Sequence, residues 1–183
     1  MSRACDMIVY DISCWWAATK DSFLAACRDR MAMAQSNPEP FPEIGDLLCF
    51  AIYSAGHAFN RVYKPLLDEL GVTYPQYLVM VLLWAEDDQT VGSLGETLFL
   101  ESSTLTPLLK RLETSGYVSR SRDPADERQV RVRLTRAGRA LQAKARDIPS
   151  CILETSGLSL AAARKLQSEI ATLRQSLLKS GRE

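Results

Sequence analysis

Apolar positions recur at helical spacing along most of this chain and at strand spacing in one short stretch. Glu43 to about Leu70 reads as a long helix ended by Gly71, with Pro65 inside it, which predicts a kink or a fresh start near Tyr63-Lys64. Thr73 to Trp84 reads as a second helix, with Thr73 as N-cap and Pro75 in the first turn. Leu94, Leu98 and Leu100 make a short apolar face, interrupted at Glu101-Ser102-Ser103. Leu105, Leu108, Leu109 and Leu112 then resume the helical spacing until Gly116 stops it. Tyr117 and Val118 open an extended run, Asp123-Pro124-Ala125-Asp126 is a turn, and Val130, Val132 and Leu134 alternate with Arg131, Arg133 and Thr135 as a half-buried strand. Arg136 to Asp147 is helical and broken by Pro149. A final helix runs from Ser159 or Leu160 to Leu178, with Leu160, Leu166, Ile170, Leu173 and Leu177 as its stripe.

This order predicts a mainly α fold with a small β-wing: a winged helix-turn-helix domain flanked by N- and C-terminal dimerisation helices. A helix entering a DNA major groove needs short donors at its leading end and an apolar back. The helix carrying Leu105 opens with Ser102, Ser103, Thr104 and Thr106 and carries Lys110 and Arg111 near its far end. Net charge over the whole chain is zero, yet Glu101 to Arg139 holds nine basic residues against five acidic ones. Such a local surplus suits a surface that neutralises DNA phosphates. The candidate DNA contacts are Ser102, Ser103, Thr104, Thr106, Lys110, Arg111, Arg120, Asp126, Arg128 and Arg131, with Arg128 beside Asp126 at the wing tip and aimed at the minor groove. A two-fold dimer would present two reading helices about one DNA turn apart, which calls for an inverted-repeat operator.

Size and composition are those of one globular domain. No run of apolar residues is long enough to span a membrane. Cys5, Cys14, Cys27, Cys49 and Cys151 are scattered, no CxxC pair is present, and His57 is the single histidine. That pattern argues against a metal site and implies no cofactor. Without a secretory signal, reduced thiols and a cytoplasmic location are expected. Residues 1–39 differ in character, holding Trp15, Trp16 and three cysteines ahead of a polar, proline-bearing run. They read as an extension, either disordered or a mis-assigned start with the true one at Met31 or Met33. An amphipathic helix from Ile12 to Met33 is the alternative.

Cys49 falls near the start of the first long helix, where free amide hydrogens and the helix dipole favour a thiolate. Tyr53 lies one turn on, and Tyr63, fourteen residues on, returns close to that face. Phenols can donate hydrogen bonds to a thiolate. The spacing is equally that of an inert core cysteine among aromatics. Cys151, after Asp147-Ile148-Pro149-Ser150, is placed at the joint before the final helix, where a loop cysteine needs no partner.

The segment Arg122-Asp123-Pro124-Ala125-Asp126-Glu127-Arg128, followed by Val130, Val132, Leu134 and Thr135, resembles the wing of MarR-type transcription regulators. Leu47 to Tyr53, Tyr63 to Leu67, Gly71 to Tyr77 and Leu105 to Lys110 resemble the organic hydroperoxide resistance regulators within that family. The resemblance covers about Pro40 to the C-terminus. It implies an obligate homodimer over 40–183, with 73–140 as the DNA-binding part and 43–70 and 148–183 as dimerisation helices. It further implies that Cys49 is the peroxide-reactive residue, that Tyr53 and Tyr63 hydrogen-bond it across the dimer, and that Cys151 resolves the oxidised form. The function so implied is a repressor released from double-stranded DNA when an organic hydroperoxide oxidises Cys49. The alternative is a MarR-like repressor released by a small phenolic or lipophilic ligand, with Cys49 incidental. An enzyme, such as a thiol peroxidase, leaves the basic wing unexplained.

Overall fold

The computed structural model describes residues 41–180, together with Ala25 and Arg28 as isolated, exposed helical positions. Apart from those two positions, the expectations for residues 1–39 lie outside the described residues. Glu43–Gly157 forms one compact unit, and the last helix lies outside it.

A short 3-10 turn, Ile44–Asp46, precedes helix α1, Leu48–Asp68. The helix starts later than its apolar pattern suggests because Leu47 is extended, at φ −81° and ψ 116°. It runs unbroken through Pro65 rather than restarting at Tyr63. The ring removes one amide donor, a local loss that the turns on either side absorb. Gly71, at φ +67°, supplies the left-handed turn into α2, Tyr74–Ala85. The expected N-cap holds: the Thr73 amide donates to Gln76 Oε1 at 2.8 Å.

Strand β1, Gln89–Thr90, leads into α3, Val91–Leu98, and α4, Ser102–Thr114. The wing follows as β2, Val118–Arg122, and β3, Val130–Leu134. The sheet has three strands in the order β1-β3-β2, all antiparallel, rather than the expected two. Two residues are too few to show a period, so β1 is invisible until its partner is placed. Helix α5, Arg136–Ala145, is followed by α6, Ile148–Ser156, and α7, Leu160–Ser180. Pro149 therefore does not merely end a helix. It occupies the first turn of α6, where a missing amide hydrogen costs nothing.

The core lies beneath the reading helix. Leu105, Leu109 and Leu112 of α4 are fully buried, against Val79, Met80 and Leu83 of α2, Leu94 of α3 and Val132 of β3. At both chain ends the picture inverts. In α1 only Leu67 is buried, while Leu48, Ile52, Tyr53 and Phe59 are exposed. In α7 nothing is buried, and Leu166, Ile170 and Leu177 are exposed. Among the described residues, no helix is long and apolar enough to cross a membrane.

Candidate DNA-reading surface and redox site

Helix α4 is held by its back. Leu105, Leu109 and Leu112 face the core, which turns Ser102, Ser103, Thr104 and Thr106 outward on the opening turns. All four are exposed, as are Lys110 and Arg111 toward the far end. The helix is entered through Phe99, at φ 56°, a left-handed residue that closes α3. Leu100 then donates back to the Gly95 carbonyl at 3.0 Å, which fixes the angle between the two helices. Six of the residues expected to meet DNA thus share one exposed helix surface.

The wing divides its basic residues into two kinds. Arg128 stands at the tip with its side chain 91% exposed and, among the described residues, pairs with Asp126 at 3.1 Å. That contact holds the Asp126 carboxyl below its usual range, with help from the Arg128 amide and Gln129. Arg120 points inward instead. Its Nη2 and Nε donate to Glu113 Oε2 at 2.7 and 2.9 Å, and its amide donates to Glu113 Oε1 at 3.0 Å. This pairing ties the wing to the reading helix and keeps the Glu113 carboxyl below its usual range. Arg131 is likewise engaged, donating to Asp88 Oδ1 at 2.7 Å and Asp123 Oδ2 at 3.0 Å. Arg120 and Arg131 therefore meet the chain's own carboxylates first, whereas Arg128, like Arg122, is exposed.

Sequence reasoning missed Asp87 and Asp88, in the turn between α2 and β1. Asp87 is partly buried, which raises its pKa. Amide donors from Leu134 and Asp88, with the Arg139 guanidinium at 2.6 Å, outweigh that and leave it lowered. Asp88 holds Arg131 and Arg133, and both contacts lower its pKa. The one sequence signal was an acidic run, Glu86-Asp87-Asp88, set just ahead of a basic wing. Elsewhere α2 is tied to α5 by Trp84 Nε1, which donates to the Gly138 carbonyl at 2.9 Å, and the approach to β2 is tied to the turn after α1 by the Tyr117 hydroxyl, which donates to the Leu70 carbonyl at 3.0 Å.

Cys49 is the second residue of α1 and is exposed, not buried among aromatics. Tyr53, one turn along, is also exposed, with its ring 6.5 Å from Phe50 and 4.4 Å from His57. Tyr63 is in a different setting. It is half-buried against Tyr74 and Tyr77, with ring centroids 4.7 and 5.9 Å away. Burial first, then the two neighbouring phenols, pushes its pKa up to about 12. At 1.5 Å per residue, Tyr63 lies about 21 Å along α1 from Cys49. One chain therefore brings Tyr53, but not Tyr63, near the thiol. Cys151 is in the first turn of α6 rather than in a loop, and is exposed. With Leu66, Glu69, Leu70, Lys144, Asp147 and Ile148 it lines an open groove of about 460 Å³ beside the C-terminal end of α1.

A reading helix backed by apolar residues, a basic wing and helices with uncovered apolar faces together define a winged-helix DNA-binding regulator. The profile of the transcriptional regulator SarA/Rot family matches residues 61–144. The HTH-type transcriptional regulator TtmR of Methylorubrum extorquens is 45% identical over 81% of this chain and 76% of its own length. The organic hydroperoxide resistance transcriptional regulator of Bacillus subtilis is 46% identical over 71% of this chain and 88% of its own. Among solved structures, reduced AbfR bound to DNA superposes with a TM-score of 0.61 at 35% identity, over 82% of this chain and 98% of that one. AbfR has also been solved in a disulfide-formed state, with a TM-score of 0.51 and 35% identity over 85% of this chain and 96% of that one. The chain belongs to the MarR-type winged-helix transcription regulators, in their organic hydroperoxide resistance group.

Proposed function

We propose that this chain is a redox-sensing repressor, a homodimer that binds inverted-repeat operator DNA when reduced and leaves it when an organic hydroperoxide oxidises Cys49. The observation that carries this reading is the exposed Cys49 at the start of α1 with Tyr53 one turn away, in a chain 46% identical to a hydroperoxide resistance regulator. The uncovered apolar faces of α1 and α7 support the dimer. Dimerisation would also allow Tyr63 of the partner subunit to approach Cys49, which its own chain's Tyr63 cannot do. The relative AbfR, with reduced DNA-bound and disulfide-formed states, supports a thiol switch.

The chemistry follows from the residues. The Cys49 thiolate attacks the peroxide O–O bond, an S–O bond forms, and the alcohol leaves with a proton. Cys151 of the partner subunit then attacks the sulfenic sulfur, water leaves, and a disulfide joins the subunits. Drawing the two sulfurs to about 2 Å moves α1 relative to the partner's α6. The reading helices, anchored to α1 through the core, lose their half-site spacing.

The test is binding to an inverted-repeat duplex selected from random sequence, before and after an organic hydroperoxide, with mass spectrometry of the Cys49 and Cys151 peptides. Release accompanied by Cys49 oxidation supports the reading. A Cys49→Ser protein that still leaves DNA on peroxide treatment overturns it.

A further inference from the structure

Asp88 occupies an unusual place. Its φ of 61° lies in the left-handed region, which a non-glycine residue enters at a cost. From there its carboxylate meets two guanidinium groups at once. Arg131 Nε donates to Oδ1 at 2.7 Å, Arg133 Nε lies 2.9 Å from the same oxygen, and Arg133 Nη2 donates to Oδ2 at 3.2 Å. The backbone adds to the grip, since Arg131 Nη2 donates to the Asp88 carbonyl. Arg131 and Arg133 alternate with the buried Val132, so both stand on the face of β3 that turns away from the core. Arg133 keeps 44% of its side chain exposed and Arg131 keeps 28%. Both lie on the sheet that carries the wing, and each meets a carboxylate.

We propose that Asp88 sets the strength of DNA binding by competing with phosphate for Arg131 and Arg133. Glycine would fill the left-handed position without strain, and what the aspartate adds is a charge facing two wing arginines. Together with Asp123, which takes the other side of Arg131 at 3.0 Å, it neutralises the outward face of β3. The basic surplus on the wing is thereby held below what the sequence displays, which weakens the sequence-independent part of DNA binding. A repressor that must leave its operator after one oxidation event gains from such a limit. The proposal rests on the DNA-binding reading above.

The experiment compares the wild-type dimer with Asp88→Asn and Asp88→Gly on a mixed-sequence DNA duplex between about 50 and 200 mM salt. Asparagine and glycine both tolerate the left-handed backbone, and a thermal melt checks that each variant is folded. Each arginine released to a phosphate steepens the plot of log binding constant against log salt by about one unit, so a change of about one to two is expected. Binding at low salt should tighten by about tenfold or more, and adding Arg131→Ala and Arg133→Ala to Asp88→Asn should remove the gain. An unchanged or shallower slope with weaker binding would make Asp88 a purely structural latch and overturn the proposal. If the reduced wild-type dimer bound no DNA at all, the functional reading itself would fail, which is a distinct result.

Discussion

Cys49 and Cys151 lie at opposite ends of α1. The first is in its opening turn, and the second borders a groove formed with Leu66, Glu69 and Leu70 at its far end. Seventeen residues of helix separate Cys49 from Leu66, which is about 25 Å of rise. A disulfide needs Cα atoms within about 7 Å. The two thiols of one chain cannot meet while α1 is intact, so a bond between them must join two chains.

Brief treatment with an organic hydroperoxide should therefore yield a covalent dimer on non-reducing gels, reversed by dithiothreitol. Cys49→Ser and Cys151→Ser should each abolish it. In Cys151→Ser, Cys49 should still react and then drift to sulfinic and sulfonic forms, detected by mass. Monomeric disulfide in the wild type, or Cys151 left free after Cys49 is oxidised and DNA released, would refute the two-cysteine route.

Tyr53→Phe and Tyr63→Phe should both slow oxidation of Cys49 while leaving DNA affinity of the reduced dimer nearly unchanged, as neither residue is on the reading surface. Tyr63 also has a stability signature. Unfolded, its phenol ionises near pH 10, whereas folded it keeps its proton until about pH 12. Its contribution is fully present below pH 10 and is lost as the pH rises through that window. Denaturation midpoints should fall across this range in the wild type and fall less in Tyr63→Phe. Part of the decline should persist, since Tyr74 and Tyr77 are also raised by burial.

Arg128→Ala should weaken operator binding by about 1–3 kcal/mol if the tip reads a base edge, or flatten the salt dependence by about one unit if it meets a phosphate. Lys165→Ala, on exposed α7, serves as the control. Titration by fluorescence anisotropy at several salt concentrations separates the outcomes, and equal effects of the two substitutions would remove the wing tip from the DNA contact.

Gly138→Ala should destabilise the fold by about 3 kcal/mol, the upper range for overpacking. A methyl group there runs into the Tyr117 carbonyl oxygen, which also accepts from the Thr135 amide at 3.0 Å. The Gly138 carbonyl accepts from Trp84 as well, so the strain would reach the α2–α5 packing. Urea unfolding monitored by tryptophan fluorescence reads the loss. A variant as stable as the wild type would show that α5 and the Tyr117 backbone can part at no cost.

The sequence by itself determined the order of the major elements, the reading helix and the wing. Those features rest on local physics. Leucines three and four apart define one helix face, alternation over Val130 to Leu134 defines a strand, and Thr73, Gly71 and Gly116 punctuate the chain through caps and turns. Tertiary structure decided what local rules cannot carry. Strand β1 exists because β3 offers it a partner, and α6 forms around Pro149 because Ile148 and Ile152 are buried. Charge followed the same division. Glu101 to Arg139 holds nine basic residues, but which of them face outward depends on Glu113, Asp87 and Asp88, brought in from other elements. Spacing along α1 put Cys49, Tyr53 and Tyr63 near one face. Only the straight rise of an unbroken helix shows that Tyr63 lies too far along it to reach the thiol of its own chain.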